Sequence, residues 1–181
     1  MSKFSITLFA AMFFIAGCAS SVTKDIMVNT EADPKVDFKG YATYTWLGSA
    51  AIVYDPDGKW EPPQFDADAE IKFLIDRELR KRGMTEDSLN PDMIVAFAAG
   101  IDMEIMEIDI DPKSDMVVLE NVPMGALTVI LVDANSGLAI WAGIATAEIQ
   151  QSPDQDTIKK RLDFAVTRMF KQFGTPKSSM Y

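Results

Sequence analysis

The cysteine at position 18 is the residue best placed to carry out chemistry. It ends the run Ile15-Ala16-Gly17-Cys18, which has the form of a bacterial lipoprotein signal. Lys3 stands ahead of an apolar stretch, Phe4–Ala16, and small residues precede the cysteine, as a signal peptidase requires beside its cut. We therefore expect cleavage between Gly17 and Cys18 and acylation of Cys18, the only cysteine of the chain.

The length of the apolar stretch argues against a permanent membrane span. As a helix, Phe4–Ala16 would be about 20 Å long, short of the roughly 30 Å hydrocarbon core of a bilayer. An ordinary secretory signal with a chance cysteine, or a buried free cysteine, is the alternative.

Two or more acyl chains would give stable anchoring. Ala19 follows Cys18 where lipoproteins kept at the inner membrane often carry Asp, so we expect a periplasmic protein anchored to the outer membrane.

A second candidate for chemistry is a ladder of acidic residues with alternating spacing. Carboxylates on one strand face could bind Ca²⁺, which takes six to eight oxygen ligands. Alternate residues of a strand lie about 7 Å apart, so one ion could not be shared without a bend, and the competing interpretation is a solvated strand face. The ladder consists of Asp102, Glu104, Glu107, Asp109 and Asp111. Apart from this possible Ca²⁺, the sequence calls for no cofactor.

Enzymatic options are narrowed by the absence of histidine from the whole chain. Catalytic triads, histidine bases and histidine-containing metal sites are thereby excluded. An Asp/Glu-dependent hydrolase remains, with Asp102 and Glu104 as a carboxylate pair of the glycosidase kind. We expect a non-enzymatic protein and keep the hydrolase as an alternative.

Aromatic side chains supply a third group of candidates. Trp60 lies in the segment 48–63, which is rich in proline and glycine, and it could contact a partner. Tyr41, Tyr44 and Trp46 could line a groove for a glycan or peptide, but core packing is the expected role for aromatics in a strand.

Charge excludes one class of partner. The chain carries 17 Lys and Arg against 27 Asp and Glu, a formal net charge of −10. Such a surface repels phosphate backbones, so nucleic-acid binding is not expected. An anionic lipid surface would also repel it, which leaves the acyl group to hold the protein at a membrane. With a single cysteine no intrachain disulfide can form, so packing must stabilise the fold.

Two amphipathic helices are predicted to organise the domain. The first runs from Asp66 to Gly83, with aspartates at its start and the basic run Arg80-Lys81-Arg82 as its solvated last turn. The second opens at Pro153-Asp154 and ends near Phe173, with an aspartate as its N-cap. Each carries apolar residues at three- and four-residue spacing, so each has one face to bury.

Strand patterns fill the rest of the chain. We predict strands at 26–28, 41–46 and 93–98, an alternating segment at 101–111 with a bulge or turn near Ile105-Met106, and a hairpin of 126–132 with 138–148. Residues 111–124 are predicted to form a loop with a short strand at 116–119. The order ββαβββα predicts an α+β two-layer sandwich, a mostly antiparallel sheet with two helices on one face.

The domain boundaries follow from these elements. Residues 1–17 are the removed signal, 18–23 the lipidated cysteine and tether, 24–174 a single domain, and 175–181 a flexible tail.

Several motifs in this order resemble the domain-of-unknown-function 4136 family of bacterial envelope lipoproteins. The segment 37–46, Asp37-Phe38-Lys39-Gly40-Tyr41-Ala42-Thr43-Tyr44-Thr45-Trp46, is similar to the start of the family domain. The strand after Pro91, the hairpin from Gly125 to Gly143 and the closing helix also resemble it, over residues 22–173. This family often has a basic or polar residue after the hairpin tryptophan, where this chain has Ala142. The resemblance implies fold and location but no activity.

Three functions therefore stand as hypotheses. The first is a lipid-anchored periplasmic domain that binds or scaffolds an envelope protein. The second is a small binding module for a lipid, a glycan or Ca²⁺, and the third is the hydrolase. An exposed apolar patch or sheet edge would favour the first, an apolar cavity the second, and paired buried carboxylates the third.

Overall fold

The computed structural model describes residues 21–47, 65–110, 117–150 and 152–173, with the backbone alone for 101–110 and 117–123. Within these residues it confirms the predicted α+β fold and, apart from the two-residue β3, the predicted order of elements. In chain order the elements are β1 Met27–Ala32, β2 Thr43–Trp46, α1 Ala67–Arg80, β3 Thr85–Glu86, β4 Met93–Ile110, β5 Val117–Asp133, β6 Ala139–Glu148 and α2 Gln155–Lys171.

The strands form one mixed sheet in the order β1-β6-β5-β4-β2-β3. The pairs β1–β6, β6–β5 and β5–β4 are antiparallel, whereas β2 is parallel to both β4 and β3. Parallel neighbours need a crossover connection, and α1 lies in the one between β2 and β4. A tight turn joins β5 to β6, and Gly137 adopts a positive φ of 70° there.

Both helices begin at the predicted aspartates. The Asp66 carboxylate accepts a hydrogen bond from the Ala69 N–H at 3.0 Å, and the Asp154 carboxylate accepts one from the Thr157 N–H at 2.7 Å. Each bond satisfies an amide that the first helical turn leaves without a partner. Among the described residues no helix is long and apolar enough to cross a membrane.

The core lies between the sheet and the two helices, which both cover the same face. The apolar stripe of each helix packs on the inward residues of β2, β4, β5 and β6. The largest of the fully buried side chains are Trp141, Tyr44, Phe170, Ile75, Leu79, Met93, Leu131 and Met169. This arrangement confirms the predicted sandwich with its helices on one face.

Strand β4 joins the predicted segments 93–98 and 101–111 into one, and β5 is much longer than the predicted 126–132. They pair from Met93↔Asp133 to Ile110↔Val117, whereas β6 pairs with β5 only from Met124 onward. The predicted short strand at 116–119 is the start of β5 from residue 117, and the predicted loop is wrong for residues 120–124, which continue β5. An edge strand accepts a proline, so Pro123 does not end the pairing.

The predicted bulge also lies elsewhere. Ile105 and Met106 pair in regular register with Val122 and Asn121, and the register shifts between Ile101 and Met103 instead. The extra residue is Asp102, next to the point where β6 stops pairing with β5. Bulges are common where the pairing of a sheet changes, so the position follows from the end of β6 and not from the polar pattern of β4 itself.

Candidate functional site

On the three central strands β4, β5 and β6, the face of the sheet that points away from the helices is apolar, whereas edge strand β1 adds Asn29 and Glu31 beside it. Along β4 the residues Met93, Val95 and Phe97 are buried under the helices, and the alternate residues point to the opposite side. We call this opposite surface of the three central strands the outer face. It comprises Ile94, Ala96, Ala98, Thr128, Ile130, Val132, Ala142, Ile144 and Thr146.

The register of the strands places these residues side by side. Ala96 lies opposite Ile130, which lies opposite Ala142, and the next row joins Ala98, Thr128 and Ile144. Ile144 is 43% exposed, and the others are half-buried by their neighbours. Strand and residue spacing give the outer face an area of about 300 Å².

Charge is missing from the outer face. None of its nine residues is charged, although charged residues make up 24% of the chain. An antiparallel sheet with one face in water normally presents polar residues there. A contiguous apolar patch of about 300 Å² is the size of the largest patch on many monomeric proteins, and such patches are often functional.

A separate apolar cavity of about 210 Å³ lies between α2 and the sheet. On the sheet side it is lined by small residues, among them Ala99, Gly125, Ala145 and Ala147, and on the helix side by larger ones. The small side chains of three strands leave the space open beneath the helix. An engineered apolar cavity of about 150 Å³ stays dry and binds benzene, so this space is large enough for an apolar group. The helix side is formed by Ile158, Arg161, Leu162 and Ala165.

Arg161, on the helix side of this cavity, is hydrogen-bonded to the chain segment ahead of β1. Arg161 donates to both carboxylate oxygens of Asp25, with 2.8 Å between Nη1 and Oδ1, and to the carbonyl oxygens of Val22 and Glu148. Asp25 also accepts from the Glu148 N–H at 3.0 Å. The hydrogen bonds from Arg161 hold the pKa of Asp25 below its ordinary value, against the opposing effect of its partial burial. The chain segment ahead of β1 is thus fixed at the mouth of the cavity.

A second group of charged side chains, centred on Glu78, stabilises the fold. Glu78 is 4% exposed and accepts from Arg77, Lys81 and Arg82. Burial alone would raise the pKa of Glu78, but the hydrogen bonds from Lys81, Arg77 and Arg82 outweigh it and the pKa lies below its ordinary value. Arg82 also donates to the Phe170 carbonyl. Arg80, Lys81 and Arg82 are exposed, as predicted for a solvated last turn, and the Arg82 guanidinium in addition links α1 to α2.

The side-chain hydrogen bonds around the start of β2 also stabilise the fold. The Tyr41 hydroxyl donates to Asp133 at 2.8 Å, and burial together with this carboxylate raises the pKa of Tyr41 to about 12. Asp92 accepts from the N–H groups of Ala42 and Thr43, each at 2.9 Å, and these bonds lower the pKa of Asp92. Both carboxylates hold backbone in place, since Asp133 also accepts from the Ser136 N–H.

The strand aromatics pack in the core, as expected. Tyr44 is 1% exposed, and its hydroxyl donates to Asp76 at 2.7 Å. Tyr41 and Trp46 are partly buried against the same core cluster. A groove lined by these three rings is therefore not formed.

Several predicted site residues cannot be placed. Gly17, Cys18, Trp60 and Asp111 lie outside the described residues. Asp102, Glu104, Glu107 and Asp109 belong to β4, where only the backbone is described. Among the described side chains, no group of three or more carboxylates, cysteines or histidines is arranged to hold a metal ion. The possible Ca²⁺ ladder and the Asp102–Glu104 pair therefore stay predictions.

The outer face and the cavity were both missed by reasoning from sequence. A signal for the outer face was present, because strands with apolar residues at nearly every position are buried on both sides. The cavity had a weaker signal in the clustering of alanine and glycine within 98–100, 125–126 and 142–147. The clustering alone does not predict a cavity, because only the register of the strands brings the three segments together under α2.

A family model described as a domain of unknown function matches residues 28–173, nearly all of the described fold. The chain belongs to the DUF4136 family. The resemblance seen in the sequence is thereby confirmed. Among curated proteins, none matches this DUF4136 chain.

Two solved structures support the fold of this DUF4136 domain. A DUF4136 family protein from Bacteroides thetaiotaomicron shares 13% identity with a TM-score of 0.55, over 82% of this chain and 95% of its own. A PDZ domain protein from Parabacteroides distasonis shares 15% identity with the same TM-score, over 84% of this chain. The chain spans 37% of that second protein. At such identities the likeness concerns the fold alone.

Proposed function

We propose that this DUF4136 chain is a non-enzymatic, lipid-anchored domain on the periplasmic side of the outer membrane that binds an envelope protein through its outer face. The observation that carries the proposal is the uncharged apolar surface around Ile130 and Ile144 on an otherwise acidic chain. Exposure of apolar side chains to water is unfavourable in free energy for an isolated domain, whereas their burial against a partner is favourable.

The size of the outer face suits a contact that is assisted by anchoring. About 300 Å² on one partner falls below the roughly 800 Å² per partner of a standard interface. Attachment of both proteins to the same envelope raises their effective concentration, so a small contact can suffice. The acyl group at Cys18 is the anchor that the sequence predicts.

The described carboxylates support the non-enzymatic part of the proposal. Glu78, Asp25, Asp92 and Asp133 have lowered pKa values, and each is engaged by hydrogen bonds that hold the fold together. A general acid would need a raised pKa and an approach for substrate.

Photo-cross-linking in intact cells tests the function. The full chain carries a photoreactive amino acid at Thr128 on the outer face or, as a matched control, at Phe73, which is 56% exposed on α1. We expect a specific adduct from Thr128 that disappears when Ile144→Asp is added, and none from Phe73. Equal adducts from both positions, or an adduct indifferent to Ile144→Asp, would show that the outer face binds no particular partner. Mass spectrometry of the N-terminal peptide checks acylation of Cys18 in the same sample.

A second candidate function rests on the cavity beneath α2. Its apolar lining favours a lipid chain over a glycan or Ca²⁺, both of which need polar ligands.

A further inference from the structure

We propose that one acyl chain attached to Cys18 inserts its end into the cavity between α2 and the sheet. This proposal rests on the lipid anchor of the proposed function and gives that anchor a second position, inside the protein. The domain would then hold part of its own lipid when it is away from a membrane.

The path of the chain brings the attachment point to the cavity. The Val22 carbonyl accepts a hydrogen bond from Arg161, which lines the cavity, and Ile26 lines it as well. Cys18 is four residues ahead of Val22. Four residues span at most about 14 Å, so the attachment point lies within one acyl chain length of the mouth.

The polar groups at the mouth favour an uncharged chain over a free fatty acid. Four of the N–H donors of Arg161 are used by Asp25 and the carbonyls of Val22 and Glu148, so its positive charge is compensated. Arg161 and Asp25 compensate each other, and Glu148, which lines the cavity, would repel a carboxylate. An acyl chain bound through the N-terminal cysteine brings no carboxylate, because its carboxyl carbon is already in an ester or amide bond.

The interior of the cavity matches the end of an alkyl chain. Ala145 and Ala147 on one side and Ile158 and Leu162 on the other offer apolar contacts. An engineered apolar cavity of about 150 Å³ admits benzene, so a cavity of about 210 Å³ admits an apolar group of at least that size. The cavity therefore accepts part of a long chain, and the remainder would lie along the mouth.

Photo-cross-linking from the lipid itself tests the insertion. Cells are supplied with a fatty acid that carries a diazirine near its terminal methyl group, and the acylated full chain is purified in detergent and irradiated. We expect an intramolecular cross-link from the Cys18 peptide to the α2 peptide that contains Ile158 or Leu162. Ala147→Phe, which fills the cavity, should reduce this cross-link at least tenfold, whereas Ala139→Phe at the exposed far end of β6 should leave it unchanged. Ala99→Leu fills the cavity from β4 and replaces Ala147→Phe if that variant does not fold.

The outcomes separate the possible failures. Acylated protein without a cross-link to α2, or a cross-link equally present in the cavity-filling variants, would overturn the insertion while leaving the lipid anchor intact. A Cys18→Ser variant whose α2 still captures labelled fatty acid would show that free lipid, and not the Cys18 chain, fills the cavity. Absence of any acyl group on Cys18 would overturn the anchor as well.

Discussion

Arg161 of α2 and Asp25 ahead of β1 form a bidentate ion pair, although they are 136 residues apart in the sequence. Their side chains are only 12% and 18% exposed, so water screens the pair weakly. Planar guanidinium and carboxylate groups match each other in this geometry, which a lysine cannot reproduce. The N-terminal segment is thereby held on the closing helix.

We expect Arg161→Lys to lower the free energy of unfolding by about 2 kcal/mol, because the fork and its carbonyl contacts are lost. Arg80→Lys is the control, since the Arg80 side chain is 59% exposed and should cost at most about 0.5 kcal/mol. Urea denaturation followed by circular dichroism measures both. Equal stabilities of the two variants would contradict a special role for the pair.

Alkaline pH should destabilise the protein through Tyr41. Its pKa rises from 10.0 unfolded to about 12 folded because of burial and the Asp133 carboxylate. A raised folded pKa means that the tyrosine contributes stability below pH 10, which is lost as the pH rises towards 12. Tyr41→Phe should therefore lose less stability between these two pH values than the wild type. Parallel slopes in urea titrations at the two pH values would refute this.

Gly143 is expected to tolerate no side chain. A Cβ at this position would lie 2.6 Å from the Trp141 ring and 3.0 Å from the Met169 sulfur, and both residues are buried. Gly143→Ala should cost about 1–3 kcal/mol. Gly40→Ala, which meets nothing within 4 Å, should change stability by less than about 1 kcal/mol in either direction. Thermal unfolding of the pair distinguishes steric overlap from a general effect of glycine replacement.

Glu78→Gln should weaken the junction of the helices, because three cations lose their shared carboxylate. We expect a loss of about 2 kcal/mol at neutral pH. Since the pKa of Glu78 is lowered, its contribution is present above pH 4.5 and lost as the pH falls further, so the variant and the wild type should converge in acid. A difference that persists undiminished at pH 2 would mean that packing, and not charge, causes the loss.

The helices were readily predicted because local chemistry defines them. Asp66 and Asp154 satisfy amides only one turn away, and Gly83 adopts a φ of 81° after α1. Such bonds involve neighbours in sequence, so a single sequence contains the necessary information.

Features that depend on partners distant in sequence were not predictable in the same way. The length of β5 depends on β4 as its neighbour, and the position of the bulge at Asp102 depends on where β6 ends. The hydrogen bond of Arg82 depends on α2, which contributes the Phe170 carbonyl. The candidate site shares this property, because the outer face and the cavity are assembled from three strands that no local pattern aligns.

The bonds of Arg161 also determine where mechanical load enters the domain. If the membrane pulls on the chain through Cys18, tension passes along residues 18–22 and reaches Asp25 before it reaches β1. The Arg161 clamp diverts that tension into α2 and the end of β6. A pull on an edge strand would otherwise open the β1–β6 hydrogen bonds one by one. Because the clamp takes the load first, these hydrogen bonds are protected.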